Sequence, residues 1–305
     1  MLRRHFFTLP AAFLLALRTQ NGLYAEISTE TPSHEIKNAE TQNTTKMSPR
    51  RIVFLADTHI GPDVPKHAEN LRILLQEVLA LNPRPSHIFF LGDLVSTYGK
   101  SEEYIEFRDL MQPINASGIP WHIVIGNHDT RERMFEVMPE KKMEIASIPG
   151  KQVGIIKTEC VDFVILDSRM DDTRAYMAEK EKYPNRRPWD GTMEAESITW
   201  LRKTLKDYPK PVFVLAHHPL NETKIGALLA EFPCVVGYLF GHNHQYLRMT
   251  VDGTDSFAFP TTSNRPLTPQ EPRGFMVLDV QQTQYDFTLY TLEEEHSLKG
   301  RVESM

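Results

Sequence analysis

From Arg51 onward the chain alternates short, continuous apolar runs with longer amphipathic stretches. Ile52-Val53-Phe54-Leu55-Ala56 reads as a strand buried on both faces, and Leu71, Leu74, Leu75, Val78 and Leu79 then recur at helical spacing. Ile88–Leu91 predicts a second strand, 101–112 a second helix and Ile119–Ile125 a third strand. Two β-rich runs within 152–166 meet near Glu159–Asp162 and predict a hairpin. A helix over about 193–207 follows, with Ile198, Leu201 and Leu205 on one face. Next come a strand at Val212–Ala216, a short helix at 222–231 and a strand at 235–240. The chain then turns largely to β, with runs at 245–251, 255–259, 274–280 and 285–291, and 293–305 reads as a polar tail. Alternation of strand and helix predicts an α/β fold. No repeat or linker interrupts residues 51–292, which read as one domain.

The N-terminus breaks this pattern. Arg3 and Arg4 precede an apolar run from Phe6 to Leu17, and Leu23-Tyr24-Ala25 offers a cleavage site, so residues 1–25 read as an export signal. The run is too short for a stable membrane span. Arg3-Arg4-His5-Phe6-Phe7 is similar to a twin-arginine signal, which exports folded proteins to the periplasm or beyond. An ordinary secretory signal, an uncleaved anchor and a buried N-terminal helix are the competing readings. Residues 26–50, rich in Ser, Thr, Glu, Asn and Lys, bury too little surface to offset their ordering entropy and read as a disordered leader.

Composition narrows the function. With 34 Lys+Arg against 40 Asp+Glu, the net charge of −6 argues against nucleic-acid binding. Cys160 and Cys234 cannot form a thiolate metal cluster or a disulfide framework; free core thiols are the preferred reading and a single disulfide between them the alternative. Nothing in the sequence fixes the oligomeric state. The 12 His are more telling, because of where they sit.

Five apolar runs stop at polar clusters: Asp57-Thr58-His59, Gly92-Asp93, Gly126-Asn127-His128-Asp129, His217-His218-Pro219 and Gly241-His242-Asn243-His244. In α/β sheets ligands bind beyond the carboxyl ends of the strands, so five such ends would converge these groups on one cleft. Carboxylate, imidazole and amide oxygen without thiolate suit divalent Mn, Fe, Co, Ni or Zn. About seven donors are too many for one tetrahedral ion and about right for two, roughly 3.5–4 Å apart, which clamp the oxygens of an in-line displacement. That chemistry is phosphoester hydrolysis. An isolated Asp at a strand end is more often a helix cap, and an isolated His a core or surface residue; the ordered set of five carries the inference.

The set resembles the calcineurin-like metallophosphoesterase superfamily over most of residues 51–292. Leu166-Asp167-Ser168, the Trp200-Leu201 helix and His217-His218-Pro219 are similar to its cyclic-nucleotide and glycerophosphodiester phosphodiesterase branch. Ser96, where a purple acid phosphatase has Tyr, and His59, where it has Gly, disfavour that subfamily. The resemblance implies a four-layer α/β/β/α sandwich, with two mixed sheets flanked by helices and a dinuclear site at the strand ends. It implies Asp57, His59 and His244 on one metal, Asn127, His217 and His242 on the other, and Asp93 bridging them. A metal-bound hydroxide would attack phosphorus in a small phosphoester, diester or monoester. His128 would stabilise or protonate the leaving oxygen, with Asp129 fixing its tautomer. His218 is the competitor of His217. A catalytically silent binding or scaffold protein on the same fold is the alternative from another class; the presence of Asp93 and His128 favours the enzyme. Arg169–Gly191, with Arg169, Arg174, Tyr176, Arg186, Arg187 and Trp189, reads either as a solvated insertion or as a cap whose arginines bind an anionic substrate. The Ser263-Asn264-Arg265-Pro266 loop is a second, weaker candidate for the rim.

Overall fold

Both faces of the first strand are covered, which is why its sequence is a continuous apolar run and not an alternation. In the computed structural model, β1 (Arg50–Leu55) turns Val53 and Leu55 into one hydrophobic cluster and Ile52 and Phe54 into another. The structure describes residues 50–96, 99–143, 148, 150–170 and 189–305. The export signal, almost all of the leader and Arg174, Tyr176, Arg186 and Arg187 lie outside the described residues.

Two six-stranded sheets form the centre. In the first, β1 pairs in parallel with β2 (His87–Phe90), which pairs in parallel with β3 (Trp121–Ile123). On its other side β1 pairs antiparallel with β10 (Gly274–Gln281), followed by β11 (Gln284–Thr291) and β12 (Val302–Ser304). The second sheet has the order β4 (Gly154–Ile156), β5 (Asp162–Ile165), β6 (Val212–Leu215), β7 (Val235–Phe240), β9 (Thr254–Ala258) and β8 (Leu247–Val251). Its four central strands are parallel and its two edges antiparallel. The fold is thus the expected α/β/β/α sandwich of two mixed sheets.

Three apolar layers hold it together. The outer face of the first sheet packs on α1 (Pro65–Ala80), α2 (Ser101–Leu110), α3 (Gln112–Ser117) and α4 (Arg131–Val137). The outer face of the second packs on α5 (Ala195–Leu205) and the short α6 (Leu220–Thr223) and α7 (Gly226–Leu229). Between the sheets lies an aromatic layer centred on Phe54, whose ring sits 5.4 Å from those of Phe89 and Phe259, 5.8 Å from Phe163 and 6.3 Å from Phe287. No described helix is long and apolar enough to cross a membrane.

Several elements differ from the sequence pattern. The expected helix at 222–231 divides because Lys224 takes a left-handed turn, with φ of 59°. Helix α4 escaped the pattern because seven residues hold too few apolar positions to show a period. The tail is not wholly outside the sheet: Val302–Ser304 pairs antiparallel with Thr288–Asp286 as an edge strand. Three residues with one exposed face carry no hydrophobic alternation to read. Cys160 and Cys234 are free, but half-buried at the margins of the apolar layers and not in the core.

Because Phe54 joins the facing sheets and is fully buried, Phe54→Ala is expected to cost about 3–5 kcal/mol. Urea unfolding of the full chain measures this as a lower midpoint with an unchanged slope.

Candidate metal centre

The parallel strands β1, β2 and β3, and likewise β6 and β7, end on the same edge of the sandwich. Where they stop, the backbone takes turns that side chains normally avoid. Asp57, His59, Asp93, His242 and His244 are all left-handed, with φ between 45° and 63°. A residue with a Cβ spends roughly 1–2 kcal/mol there, so the surroundings must enforce it. They do so through backbone bonds between the loops: Asp57 N–H to Gly92 O at 3.1 Å, His59 N–H to Asp93 O at 3.0 Å and Ile60 N–H to Leu94 O at 2.9 Å. Gly241 is needed for close approach, since a Cβ there would lie 2.6 Å from Asp57 Oδ2.

The side chains so placed form two groups that share Asp93. In the first, His59 Nε2 lies 3.0 Å from His244 Nε2, and His244 Nε2 lies 3.3 Å from Asp57 Oδ1. In the second, Asn127 Oδ1 lies 3.2 Å from His217 Nε2 and 3.0 Å from His242 Nδ1. Asp93 Oδ2 stands between, 3.8 Å from His59 Nε2 and 3.2 Å from His217 Nε2. All seven residues expected to ligate metal therefore meet at one place.

The donor chemistry fits cations. His217 Nδ1–H donates to Leu91 O at 2.7 Å, and His244 Nδ1–H donates to Arg265 O. In each neutral ring the proton is thereby fixed on Nδ1, so Nε2 presents a lone pair. The His217 lone pair faces the oxygens of Asp93 and Asn127, which are themselves electron-pair donors. Buried acceptors packed against one another need a proton or a metal ion between them. His59 Nδ1 adds a buried nitrogen with no hydrogen-bond partner.

Protonation follows the same logic. Burial by itself would push the Asp57 and Asp93 carboxyls up, but His244 and His217 beside them prevail and hold both below their ordinary value. Burial opposes a proton on His217, yet Asp93 and Asp57 lift its pKa to about 10. His244 is raised by Asp57 against the same penalty. Burial leaves His59 and His242 neutral, at about 3 and about 4.

His128 sits beside this cluster, a ring nitrogen within 4.8 Å of the donor atoms of His59 and Asp93. Its backbone N–H donates to Asp93 Oδ1 at 2.8 Å, and its Nδ1–H donates to Ser96 O at 2.9 Å. Asp129 was expected to orient this ring, and it does not. Its carboxylate is fully buried behind the loop, accepting Gly126 N–H at 2.9 Å, Leu94 N–H at 3.1 Å and the Tyr104 hydroxyl at 3.3 Å. Burial and the nearby Asp93 push its pKa up to about 7. Asp129 braces the turn that carries Asn127 and His128; the Ser96 carbonyl orients the imidazole. A carbonyl has no residue identity, so the sequence held no signal for it.

His218 is decided by its bonds. Nδ1 is taken by Ser168 Oγ at 2.7 Å and Nε2–H by Trp189 O at 3.1 Å. Both nitrogens thus point at the wall, whereas His217 Nε2 points at Asp93 and Asn127 within the donor cluster. A cavity of about 590 Å³ opens over the donors, with Arg169, Met170, Trp189, Asp190 and Arg265 on its walls. Thus the described ends of the Arg169–Gly191 stretch, and the Arg265 loop, do face the cleft. Glu222 and Arg131 were missed altogether, and Asp167 was read only as part of a family motif. Arg131, which opens α4 after the Asn127–Asp129 turn, binds Asp167 through two bonds of 2.5 Å, and both are buried.

A proton on His217, favoured by Asp93 and Asp57 against the penalty of burial, lies where a cation would sit, so loading should release it. Calorimetric Mn²⁺ titrations in buffers of different ionisation heat are expected to show net proton release, and apparent affinity should weaken as pH falls. Asp93→Asn should lower both affinity and the Mn²⁺-dependent rise in Tm.

Comparison with known proteins agrees with this geometry. Residues 50–246 match the model of the calcineurin-like phosphoesterase family. The chain is 26% identical over 235 residues to the 3',5'-cyclic adenosine monophosphate phosphodiesterase CpdA of Haemophilus influenzae, covering 70% of this chain and 76% of that protein. It is 25% identical over 227 residues to the glycerophosphodiester phosphodiesterase GpdQ of Enterobacter lignolyticus, covering 66% and 74% respectively. Among solved structures, a dimetal phosphatase from Danio rerio shares the fold with a TM-score of 0.65 and 16% identity, over 85% of this chain and 98% of that one. With the family model spanning more than half its length and the donor cluster in place, this chain belongs to the calcineurin-like phosphoesterase family, whose members hydrolyse phosphoester bonds.

Proposed function

We propose that this protein is an exported phosphodiesterase that cleaves small phosphodiesters at a two-metal centre, with His128 as the group that handles the leaving oxygen. The position of His128 carries the reading. Its ring lines the cavity beside Asp93, and the Ser96 carbonyl accepts its Nδ1 proton. When Nε2 carries a proton it can pass it to the departing alkoxide, a step worth roughly 10²–10⁴ in rate. A phosphodiester with an alkoxide leaving group needs that proton most. The two relatives described above are named for diester substrates, which favours diesters over monoesters.

Asp57, His59 and His244 would hold one divalent ion and Asn127, His217 and His242 the other, with Asp93 between them; Mn, Fe, Zn, Co and Ni all suit this donor set. When bound, such ions acidify water and neutralise charge on the phosphoryl oxygens. The remaining work belongs to the chain. His217 and His244 keep their rings aligned through Leu91 O and Arg265 O. Asp93 Oδ1 binds the His128 backbone and so fixes the distance between metal site and acid. Arg169 and Arg265 on the cavity wall supply positive charge for an anionic substrate.

With Mn²⁺, the protein is expected to hydrolyse bis-(p-nitrophenyl) phosphate faster than p-nitrophenyl phosphate, and Asp93→Ala to lose both activities. Lack of metal-dependent turnover on either ester would return the chain to the silent binding-protein reading. His128→Ala should depress kcat by roughly 10²-fold or more for an alkyl diester and much less for the nitrophenyl ester, whose leaving group needs little protonation. Equal losses on both would remove His128 from that role.

Export rests on Arg3-Arg4 and the apolar run to Leu17. A reporter fused after residue 25 should reach the periplasm, and Arg3→Lys with Arg4→Lys should block it only on the twin-arginine route.

A further inference from the structure

Glu222 lies on α6, directly after the His217-His218-Pro219 turn, and its two oxygens face different parts of the site. Oε1 is 3.6 Å from Nε2 of His242, whose Nδ1 is directed at Asn127 Oδ1. Oε2 accepts the Gly191 backbone N–H at 2.6 Å. We infer that Glu222 is a positioning residue of this centre, holding the His242 ring in register for a metal with one oxygen and anchoring the Trp189–Gly191 wall of the substrate cavity with the other.

The first half follows from what an imidazole requires. A His that gives one nitrogen to a metal is oriented by what its other nitrogen meets, and a carboxylate there both fixes the tautomer and makes the ring a better donor. The corresponding partners of His217 and His244 are the carbonyls of Leu91 and Arg265. His242 instead faces a carboxylate, so its ring is the one whose donor strength depends on a side chain that mutation can change.

The second half follows from how the wall is fastened. Trp189 O accepts from His218 Nε2, Gly191 N–H donates to Glu222, and Thr192 N–H donates to Ser168 O at 2.9 Å. Gly191 packs so closely on His218 that a Cβ there would overlap the His218 ring. Trp189 and Asp190, which line the cavity, are therefore set in place by the elements that carry the metal-facing histidines. A change at Glu222 should register on metal affinity and on substrate binding, through two separable atoms.

This inference rests on the two-metal reading, and Mn²⁺ titration of the full chain separates the two without needing turnover. Glu222→Gln keeps an oxygen for Gly191 N–H but removes the charge facing His242. One of two Mn²⁺ sites should weaken by roughly 10–100-fold, with KM for bis-(p-nitrophenyl) phosphate at saturating Mn²⁺ unchanged. Glu222→Ala should show the same affinity loss and, in addition, a several-fold higher KM. If Glu222→Ala fails to fold by circular dichroism, Glu222→Asp, whose shorter arm cannot span both contacts, serves for the KM comparison. A parent protein that binds no Mn²⁺ overturns the two-metal reading. A parent that binds two Mn²⁺, with Glu222→Gln binding both as tightly, overturns the metal half of this inference alone. An unchanged KM in the alanine or aspartate variant overturns the wall half.

Discussion

Seven side chains whose electron pairs all face one small volume do not assemble willingly. Asp57, Asp93, Asn127 and four imidazoles are mostly buried, and without a cation or protons between them they would repel at short range in a medium that screens poorly. The two carboxylates raise the pKa values of His217 and His244 against the penalty of burial, the direction that relieves this repulsion. The bonding of nearly every neighbour makes sense as a device for holding acceptors against acceptors. Leu91 O and Arg265 O fix the tautomers of two rings, and Thr261 Oγ1–H donates to Asp57 O at 2.8 Å, steadying the first turn from behind.

The strain in the turns belongs to the same account. Five donors sit at left-handed φ, a conformation the unconstrained chain would leave. It persists because each loop springs from a strand paired on both sides within its sheet, and because the first two loops bond to one another through Asp57, His59 and Ile60. The two sheets, joined by the aromatic layer around Phe54, act as the rigid frame against which that strain is held.

Much of this was legible in the chain. Each apolar run of four or five residues corresponds to a central strand, because a strand covered on both faces must be apolar throughout. The five polar clusters following those runs named all seven donors, since the carboxyl end of a parallel strand is where a loop can present a side chain to a ligand. Elements with little burial were poorly legible: α4 is too short to show a period, and β12 is an edge strand with one wet face. Relations between side chains were less legible still. Asp129 follows His128 in sequence, but its carboxylate turns away to bind the backbone of Gly126 and Leu94.

The sequence by itself determined which chemistry is available: carboxylate, imidazole and amide donors at strand ends, on a frame of alternating strands and helices. That follows from local rules, in which burial dictates the apolar runs and strand geometry dictates where they end. Only the tertiary structure decided how those groups are used. It turned His217 Nε2 toward Asp93 and Asn127 and the two nitrogens of His218 toward Ser168 and Trp189, assigned the orientation of His128 to a backbone carbonyl, and placed Glu222 between a histidine ring and the cavity wall. Those outcomes depend on contacts between residues far apart in the chain, and on backbone atoms common to every residue, so no local pattern could encode them.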